Sequence, residues 1–211
     1  MISGLYVVTD EALSHGKSHA EIAKEAVAGG AKIIQLREKT ALSAKFLQDA
    51  KEIAGICKNK ALFIVNDRTD IALAAGADGV HLGQDDLPAA DARKLSGDNF
   101  IIGVSVGSLQ EAEKAVAEGA DYLAVSPVYA TLSKKDAGDG HGLSLVREIR
   151  AAFPDIPLVG IGGLNTGNVK EAVSAGLDSV AVISAVVSAP DIQKAAEELS
   201  GIIREALNER S

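Results

Sequence analysis

The chain has 211 residues, of which 47% are hydrophobic and 24% charged, with 21 Lys and Arg against 29 Asp and Glu. This apolar content is enough for a packed core and excludes a disordered chain. Only 3% of the residues are aromatic, so the core must consist mainly of Ala, Val, Ile and Leu. The net charge of -8 argues against a nucleic-acid-binding protein but leaves room for a local pocket that binds small anions.

The single cysteine and the N-terminal residues bear on the environment of the protein. Cys57 cannot form an internal disulfide, and its helical surroundings predict a small buried side chain. The segment from Met1 to Gly4 enters an apolar run without a basic region, and no apolar stretch approaches membrane-spanning length. We therefore expect a cytoplasmic protein without membrane or nucleic-acid partners. A homo-oligomer is compatible with these features.

Short apolar runs alternate with longer amphipathic segments along the whole chain. The runs are continuously apolar, as in a parallel sheet that is covered on both faces. The predicted strands are Leu5–Thr9, Ile33–Arg37, Leu62–Asn66, Gly79–Leu82, Ile101–Ser105, Tyr122–Ser126, Leu158–Ile161 and Val180–Ser184. The clearest predicted helices are Ala20–Ala28, Ser43–Lys58, Leu109–Glu118, Leu143–Ala152 and Asp191–Asn208. This α/β alternation predicts a (β/α)8 TIM barrel, with residues 1–211 forming one domain.

An internal repeat supports a closed barrel. A glycine, a two-residue turn and an apolar strand recur at Gly30, Gly76, Gly119 and Gly176, with spacings of 46, 43 and 57 residues. Glycine is suited to the left-handed position that ends a helix. These turns precede strands 2, 4, 6 and 8, so the period is two strand–helix units, as in a four-by-two barrel.

The longest spacing includes a loop after strand 6, between Pro127 and Gly142. This loop lies on the face where barrel enzymes carry their active sites, and loops of this length in small domains are usually functional or disordered. We interpret it as a mobile lid that binds phosphate. Its hydroxyl, cationic and glycine residues are Thr131, Ser133, Lys134, Lys135, Gly138, Gly140 and Gly142.

Cationic side chains follow strand 2. Alternation along the strand places Gln35, Arg37 and Lys39 on one side. Two cations and an amide suit a diphosphate, which arginine can bind with two parallel hydrogen bonds. The alternative is that Arg37 and Lys39 are solvated charges at a strand end.

Carboxylates follow strands 3 and 4. Asn66 and Asp67 end strand 3, and Asp85 and Asp86 come after strand 4. Carboxylates at neighbouring strand ends can hold Mg²⁺ through one oxygen each, while phosphate and water complete the octahedron. The alternative for Asp85 and Asp86 is that they cap the helix that begins near Pro88.

The loops after strands 7 and 8 predict a phosphate site. Gly162 and Gly163 follow strand 7 and allow a close approach of the backbone to a ligand, and Ile183 and Ser184 follow strand 8. Barrel enzymes often bind phosphate with the backbone of these two loops. Together with the cations and carboxylates, the residues indicate a Mg²⁺-dependent barrel enzyme that acts on phosphorylated small molecules.

The histidines provide less evidence about function than the charged residues at the strand ends. His81 lies in an apolar strand and is expected to be a hydrogen-bonded core residue. His15 and His19 have no visible partner, and nothing in the sequence determines a role for His141. No Ser-His-Asp or Cys-His arrangement is recognisable, so nucleophilic catalysis is not indicated.

Taken together, these motifs resemble those of the thiamin phosphate synthase (thiamin phosphate pyrophosphorylase) family. The resemblance runs in order from residue 6 to residue 184. The matching segments are Tyr6–Asp10, Gln35–Lys39, Asn66–Asp67, Gly79–Asp86, Gly103–Ser105, Gly160–Gly163 and Val182–Ser184.

The resemblance implies the condensation of a hydroxymethylpyrimidine diphosphate with a thiazole phosphate to give thiamin phosphate and pyrophosphate. The implied mechanism is dissociative, with pyrophosphate leaving before the thiazole nitrogen attacks, and it implies Mg²⁺ held by Asp67 and Asp86. The implied contacts are Gln35, Arg37, Lys39, Asn66 and Lys134 for the pyrimidine diphosphate, Ser105 for the pyrimidine, and Thr131, Ser133, Gly163, Ile183 and Ser184 for the thiazole phosphate. Arg37, Lys39, Lys134 and Ser105 are the expected catalytic residues.

The chain departs from the family pattern mainly in the loop after strand 6. Ala130 and Ser133 stand where the family usually has Pro and Thr, and Ser126 and His141 replace a common Gly and Pro. Ser133 retains the hydroxyl group, whereas the loss of Pro is expected to loosen the loop. These differences bear on the dynamics of the loop and on the rate more than on the type of reaction.

Two alternatives remain open. A thiazole tautomerase-like paralogue would share the barrel but typically lacks the paired carboxylates, and it carries a His at the loop position that we match to Pro127. A non-catalytic regulator that binds a phosphorylated ligand would be expected to have lost Lys39, Asp67 or Asp86, and this chain retains all three.

Overall fold

A computed structural model of the chain describes residues 1–131 and 140–210. Eight parallel strands pair in sequence order, and β8 pairs with β1 to close the barrel. The strands are β1 Gly4–Val8, β2 Ile33–Leu36, β3 Leu62–Asn66, β4 Gly79–Leu82, β5 Ile101–Val106, β6 Tyr122–Val125, β7 Leu158–Ile161 and β8 Ser179–Val182. The predicted (β/α)8 barrel is confirmed, and the strand ends differ from the predicted ones by at most two residues.

Helices surround the barrel. They are α1 His19–Ala28, α2 Ser43–Cys57, α3 Thr69–Ala75, α4 Ala89–Ser96, α5 Leu109–Ala117, α6 Gly142–Ala152, α7 Val169–Ser174, α8 Ser184–Val187 and α9 Ile192–Arg210, and a short 3-10 helix spans Glu11–Leu13. Ser18 and Glu21 form a reciprocal capping box at the start of α1. Within the described ranges, no helix has the length and apolar character needed to span a membrane.

The core has two layers because both faces of the sheet are covered. Leu5 and Val7 of β1 face the helices, whereas Tyr6 and Val8 face the interior of the barrel. Cys57 is buried in the outer layer, as predicted, and burial raises the pKa of its thiol to about 12. The interior includes two tyrosines, which the apolar strand pattern did not reveal.

The four repeated glycines all have positive φ angles, as the repeat predicts. The angles are 92° at Gly30, 69° at Gly76, 88° at Gly119 and 127° at Gly176. In three repeats the residue two positions after the glycine is an aspartate that accepts a hydrogen bond from a backbone N–H at the start of a neighbouring strand. Asp78 accepts from Phe63 of β3, Asp121 from Ile102 of β5, and Asp178 from Leu158 of β7. The repeat therefore closes the amino-terminal end of the barrel.

Arg150 joins several elements at this end. Its guanidinium donates to the carbonyl oxygens of Gly176, Pro154 and Ile156 and pairs with Asp178. Its side chain is only 22% exposed, so its loss leaves acceptors that water reaches poorly.

We expect Arg150→Ala to lower the free energy of unfolding by about 3 kcal/mol, because several partly buried carbonyls lose their donor and Asp178 loses one of its two arginine partners, the other being Arg210. Lys170→Ala is the matched control, since the Lys170 side chain is 56% exposed and pairs only at the surface with Glu209. Its effect should stay below about 1 kcal/mol. Urea denaturation measures both values, and equal losses would contradict a special role for Arg150.

Candidate active site

A cavity of about 910 Å³ opens at the carboxyl ends of the strands. Parallel strands in a barrel all end at the same face, so the residues that follow them converge there. The structure brings eleven predicted site residues to this cavity: Gln35, Arg37, Lys39, Asn66, Asp67, Asp86, Ser105, Thr131, Gly163, Ile183 and Ser184. The two other predicted residues, Ser133 and Lys134, lie outside the described residues, together with the rest of the predicted lid between 132 and 139.

Asp67 and Asp86 are in direct contact. Burial raises the pKa of Asp67, and a hydrogen bond and the negative charge of Asp86 raise it further, to about 6. The nearby charges of Lys39 and Arg37 act in the opposite direction. The result is a partly buried carboxylate pair that faces cations across the cavity.

The backbone presents this pair to the cavity. Asp67 has a φ of 63°, a left-handed conformation that Asp and Asn tolerate better than most residues, and its N–H donates to the carbonyl of His81. Asp86 Oδ2 accepts a hydrogen bond from Gly83 N–H at 2.7 Å. No side chain in the described ranges caps α4. The capping alternative for Asp85 and Asp86 is therefore wrong, because the turn draws Asp86 back to β4.

Arg37 is held at the edge of the cavity rather than solvated. Its Nη1 donates to Asp10 Oδ2 at 2.9 Å, and the side chains of both residues are 14% exposed. A guanidinium has five N–H donors, so this pair leaves donors for a ligand. Lys39 is exposed at the same mouth. The solvated-charge alternative does not describe Arg37.

The glycines after β7 line the cavity and have a further role that the sequence did not reveal. A Cβ atom at Gly162 would lie 2.6 Å from Cβ of Pro127, and one at Gly163 would lie 2.7 Å from the carbonyl oxygen of Ala130. Both have positive φ angles, of 103° and 63°. In this structure the segment after β6 approaches these two glycines closely and thereby forms one wall of the cavity.

Sequence reasoning missed a buried polar network behind Ser105. His81 is buried and hydrogen-bonded, as predicted, and its partners include Tyr122 and Ser105. Tyr122 in turn contacts Tyr6. One signal was available, because Gly103 interrupts an apolar strand, and glycine inside a strand often marks a close approach.

His19 has partners that the sequence did not reveal. Its Nδ1 lies 2.7 Å from Thr9 Oγ1, and its Nε2 lies 3.4 Å from Glu38 Oε2. The His19 ring and the carboxylates of Glu11 and Glu38 have ligand atoms within 4.8 Å of one another. Burial alone would raise the pKa of Glu38, but hydrogen bonds from Thr40 and Ala41 lower it to about 2. Since these groups bond to one another, the cluster stabilises the loop after β2.

His141 lines the cavity next to the loop that follows β5. A Cβ atom at Gly107 would lie 2.9 Å from its Nε2, so the glycine leaves room for the imidazole. Glu111 binds the backbone N–H of Gly107 on the same side. The structure therefore brings His141 to the cavity, which the sequence left undecided.

The fold and this cavity define a (β/α)8-barrel protein with an open cavity at the carboxyl ends of its strands, where enzymes of this fold carry their active sites. A family model described as thiamine monophosphate synthase matches residues 5–186. The chain therefore belongs to the thiamine monophosphate synthase family, and the resemblance seen in the sequence is confirmed.

Individual relatives agree with this assignment. The thiamine-phosphate synthase of Methanoregula boonei is 56% identical over 196 residues, which cover 92% of this chain and 90% of the relative. That of Methanospirillum hungatei is 52% identical over 204 residues, covering 96% and 98%. Among solved structures, a thiamine phosphate pyrophosphorylase from Pyrococcus furiosus has a TM-score of 0.89 at 43% identity, covering 97% of this chain and 96% of the other.

Proposed function

We propose that the protein condenses 4-amino-2-methyl-5-hydroxymethylpyrimidine diphosphate with 4-methyl-5-(2-phosphoethyl)thiazole, carboxylated or not, to give thiamin phosphate and pyrophosphate in the cytoplasm, with CO2 leaving as well when the thiazole is carboxylated. Family membership makes it a transferase of thiamine biosynthesis that acts on small phosphorylated substrates. The observation that carries the proposal is the contact between Asp67 and Asp86 in a cavity that also contains Arg37 and Lys39.

The carboxylate pair suits Mg²⁺. The pKa of Asp67 is raised first by burial and then by its hydrogen bond with Asp86 and by repulsion between the two carboxylates when both are ionised. Hard oxygen ligands from one or two carboxylates, completed by substrate phosphate, are the usual Mg²⁺ environment in proteins. When bound by Asp67 and Asp86, Mg²⁺ would neutralise charge on the diphosphate.

The side chains around the pair support a division of the cavity into two subsites. We assign the pyrimidine diphosphate to Gln35, Arg37, Lys39, Asn66, Ser105 and Lys134, and the thiazole phosphate to Thr131, Ser133, Gly163, Ile183 and Ser184. Apart from Lys134, the first set lies in or directly after β2, β3 and β5, and the second comes after β6, β7 and β8. The two substrates would therefore approach from opposite sides of the mouth.

The proposed chemistry needs charge stabilisation more than proton transfer. The bond between the pyrimidine methylene carbon and the diphosphate oxygen breaks, and the electron pair leaves with pyrophosphate. Arg37 and Lys39 stabilise the charge that develops on this leaving group. The thiazole ring nitrogen then donates its lone pair to the methylene carbon. No proton has to be removed from the nucleophile, which agrees with the lack of a recognised nucleophile and base in the sequence.

The alternatives account less well for the cavity. A thiazole tautomerase-like paralogue has no use for a carboxylate pair that faces diphosphate-binding cations, and the relatives from Methanoregula boonei and Methanospirillum hungatei carry the synthase name. A non-catalytic regulator would not be expected to retain Lys39, Asp67 and Asp86 around one cavity. We therefore favour the synthase reaction over both.

The direct test mixes the purified protein with both substrates and Mg²⁺ and measures thiamin phosphate. We expect product with the wild type and a loss of rate of at least about 100-fold in Asp86→Ala, because this change removes a carboxylate that would hold the Mg²⁺ needed to neutralise the leaving diphosphate. Asp85→Ala is the matched control, since Asp85 lines the cavity but is exposed. Absence of product with the wild type, or an undiminished rate in Asp86→Ala with metal, would overturn the proposal.

A further inference from the structure

A chain of polar side chains crosses the interior of the barrel, and Gln35, Tyr6, His81 and Ser105 of this chain line the cavity. Gln35 Nε2 donates to Tyr6 Oη at 2.7 Å, and the Oη atoms of Tyr6 and Tyr122 lie 3.0 Å apart. Tyr122 Oη lies 2.9 Å from His81 Nδ1. His81 Nε2 lies 2.9 Å from Ser105 Oγ, which lines the cavity. Ser105 is thus connected to groups on the far side of the barrel.

The packing of the rings holds this chain in place. The rings of His81 and Tyr122 are stacked with centroids 5.6 Å apart, and Tyr6 meets Tyr122 edge-on at 6.4 Å. A Cβ atom at Gly103 would lie 1.9 Å from Cζ of Tyr122, so β5 accommodates the ring only because this residue is glycine. The network is therefore built into the sheet rather than formed by mobile surface groups.

The direction of the hydrogen bonds follows from the number of protons. Burial raises the pKa of both tyrosines, so each hydroxyl keeps one proton. Tyr6 accepts from the amide N–H of Gln35, which cannot accept in return. Among the described contacts of Tyr6, the remaining acceptor for its proton is Tyr122 Oη. The proton of Tyr122 is then available to His81 Nδ1.

This direction determines the tautomer of His81. Because Nδ1 accepts a hydrogen bond, the proton of the neutral ring is on Nε2. Nε2–H then donates to Ser105 Oγ, whose own proton is left for an acceptor in the cavity. If the hydrogen bonds ran in the opposite direction, Ser105 would donate its hydroxyl proton to His81 Nε2 and would present only lone pairs to a ligand.

We propose that Tyr6, Tyr122 and His81 are positioning residues that make Ser105 a hydrogen-bond donor to an unprotonated ring nitrogen of the pyrimidine substrate. The ring nitrogen, rather than the amino group, is then the atom that Ser105 selects. This inference rests on the proposed function for the identity of the ligand, whereas the tautomer of His81 is a property of the free protein.

The tautomer can be measured without substrate. Long-range ¹H–¹⁵N spectra of the ¹⁵N-labelled protein distinguish the two neutral forms of each histidine, and His81→Asn assigns the signals of His81 among the four histidines. We expect the Nε2–H form in the wild type and loss of this single form in Tyr122→Phe, which removes the donor to Nδ1. An Nδ1–H form in the wild type would overturn the proposal.

The selected ligand atom is tested by calorimetry with the pyrimidine diphosphate, two analogues in which one ring nitrogen is replaced by C–H, and one analogue without the amino group. A site built to donate to an acceptor rejects a ligand that lacks it. We expect one ring-nitrogen analogue to bind the wild type at least about 10-fold more weakly, and Ser105→Ala to remove the difference. If instead only the analogue without the amino group distinguishes wild type from Ser105→Ala, Ser105 is an acceptor and the proposal is wrong.

A conservative pair of variants separates positioning from packing. In His81→Gln the introduced side-chain amide reaches as far as the histidine Nε2 and can donate to Ser105, whereas the amide in His81→Asn is too short. We expect the KM for the pyrimidine diphosphate to rise by about 10-fold in His81→Asn and by less than about 3-fold in His81→Gln, with smaller changes in kcat. Equal KM values in the two variants would contradict the positioning role. Failure of the wild type to bind the pyrimidine diphosphate would contradict the proposed function, whereas the spectra would still report on the network.

Discussion

Mg²⁺ should stabilise this protein at pH 7.5 and have little effect at pH 5. The raised pKa of Asp67, about 6, means that the carboxylate pair holds a proton at pH 5 and is ionised at pH 7.5. Metal binding requires the ionised form. At a tenfold excess over its dissociation constant, a ligand adds about 1.4 kcal/mol, which corresponds to about 3–6 °C in a protein of this size.

The direction in which stability changes with pH in the absence of metal follows from the same raised pKa of Asp67. Asp67 has a higher pKa in the folded protein than the usual 3.8, so its contribution to stability is full below about pH 4. That contribution is lost as the pH rises through about 6, because the ionised pair then holds two negative charges in a partly buried position, and Lys39 and Arg37 offset only part of this cost. Thermal unfolding in chelator between pH 4 and 8 measures this loss.

Asp67→Asn tests whether the pair is responsible. Asn is nearly isosteric and tolerates the left-handed backbone at this position, so the variant changes charge without straining the chain. We expect it to melt above the wild type in chelator at pH 7.5 and to lose the stabilisation by Mg²⁺. Asp85→Asn should retain that stabilisation. If Asp67→Asn keeps the full effect of Mg²⁺, the metal binds elsewhere.

The sequence was sufficient to predict which residues meet at the mouth of the barrel. In a parallel barrel all strands end at one face, so Gln35, Asn66 and Ser105 converge wherever the strands are assigned correctly. The repeated glycines also specified the helix ends, since their φ angles are accessible to few other residues. These features depend on local sequence and on topology alone.

The buried network was beyond sequence reasoning because it depends on which way each strand faces. Both faces of these strands are apolar, so no alternation shows that Tyr6 and Tyr122 point into the barrel while Leu5 and Val7 point out. The pairing of Arg37 with Asp10 likewise needs the register between β1 and β2. Such contacts are set by the closure of the barrel and not by spacing along the chain.

The loop glycines show a similar limit. Gly162 and Gly163 were correctly placed after β7, and their close approach to a ligand stays a prediction. In the structure they admit the segment from Pro127 to Ala130. A glycine in a sequence reports that something approaches the backbone, and only the three-dimensional arrangement reveals what it is.

Arg37→Ala is expected to lower kcat by about 10²- to 10³-fold, as removal of one preorganised donor at a developing charge does in other enzymes. Arg37 is held by Asp10 at the edge of the cavity, so its orientation exists before substrate binds. Arg37→Lys should recover part of the rate, because it keeps the charge but loses the planar fork that matches a phosphate. Steady-state kinetics with the pyrimidine diphosphate measure these effects.

Removal of Arg37 also leaves Asp10 unpaired, and a bare carboxylate beside the cavity would itself repel the diphosphate. The double variant Asp10→Asn with Arg37→Ala separates the two effects, since it removes both charges together. If Arg37 stabilises the leaving group, the double variant stays as slow as Arg37→Ala, whereas Asp10→Asn alone loses only about 10-fold through poorer orientation. A double variant with the wild-type rate would mean that Arg37 serves only to neutralise Asp10. In that case the charge on the departing pyrophosphate must be stabilised by Lys39 and the metal site.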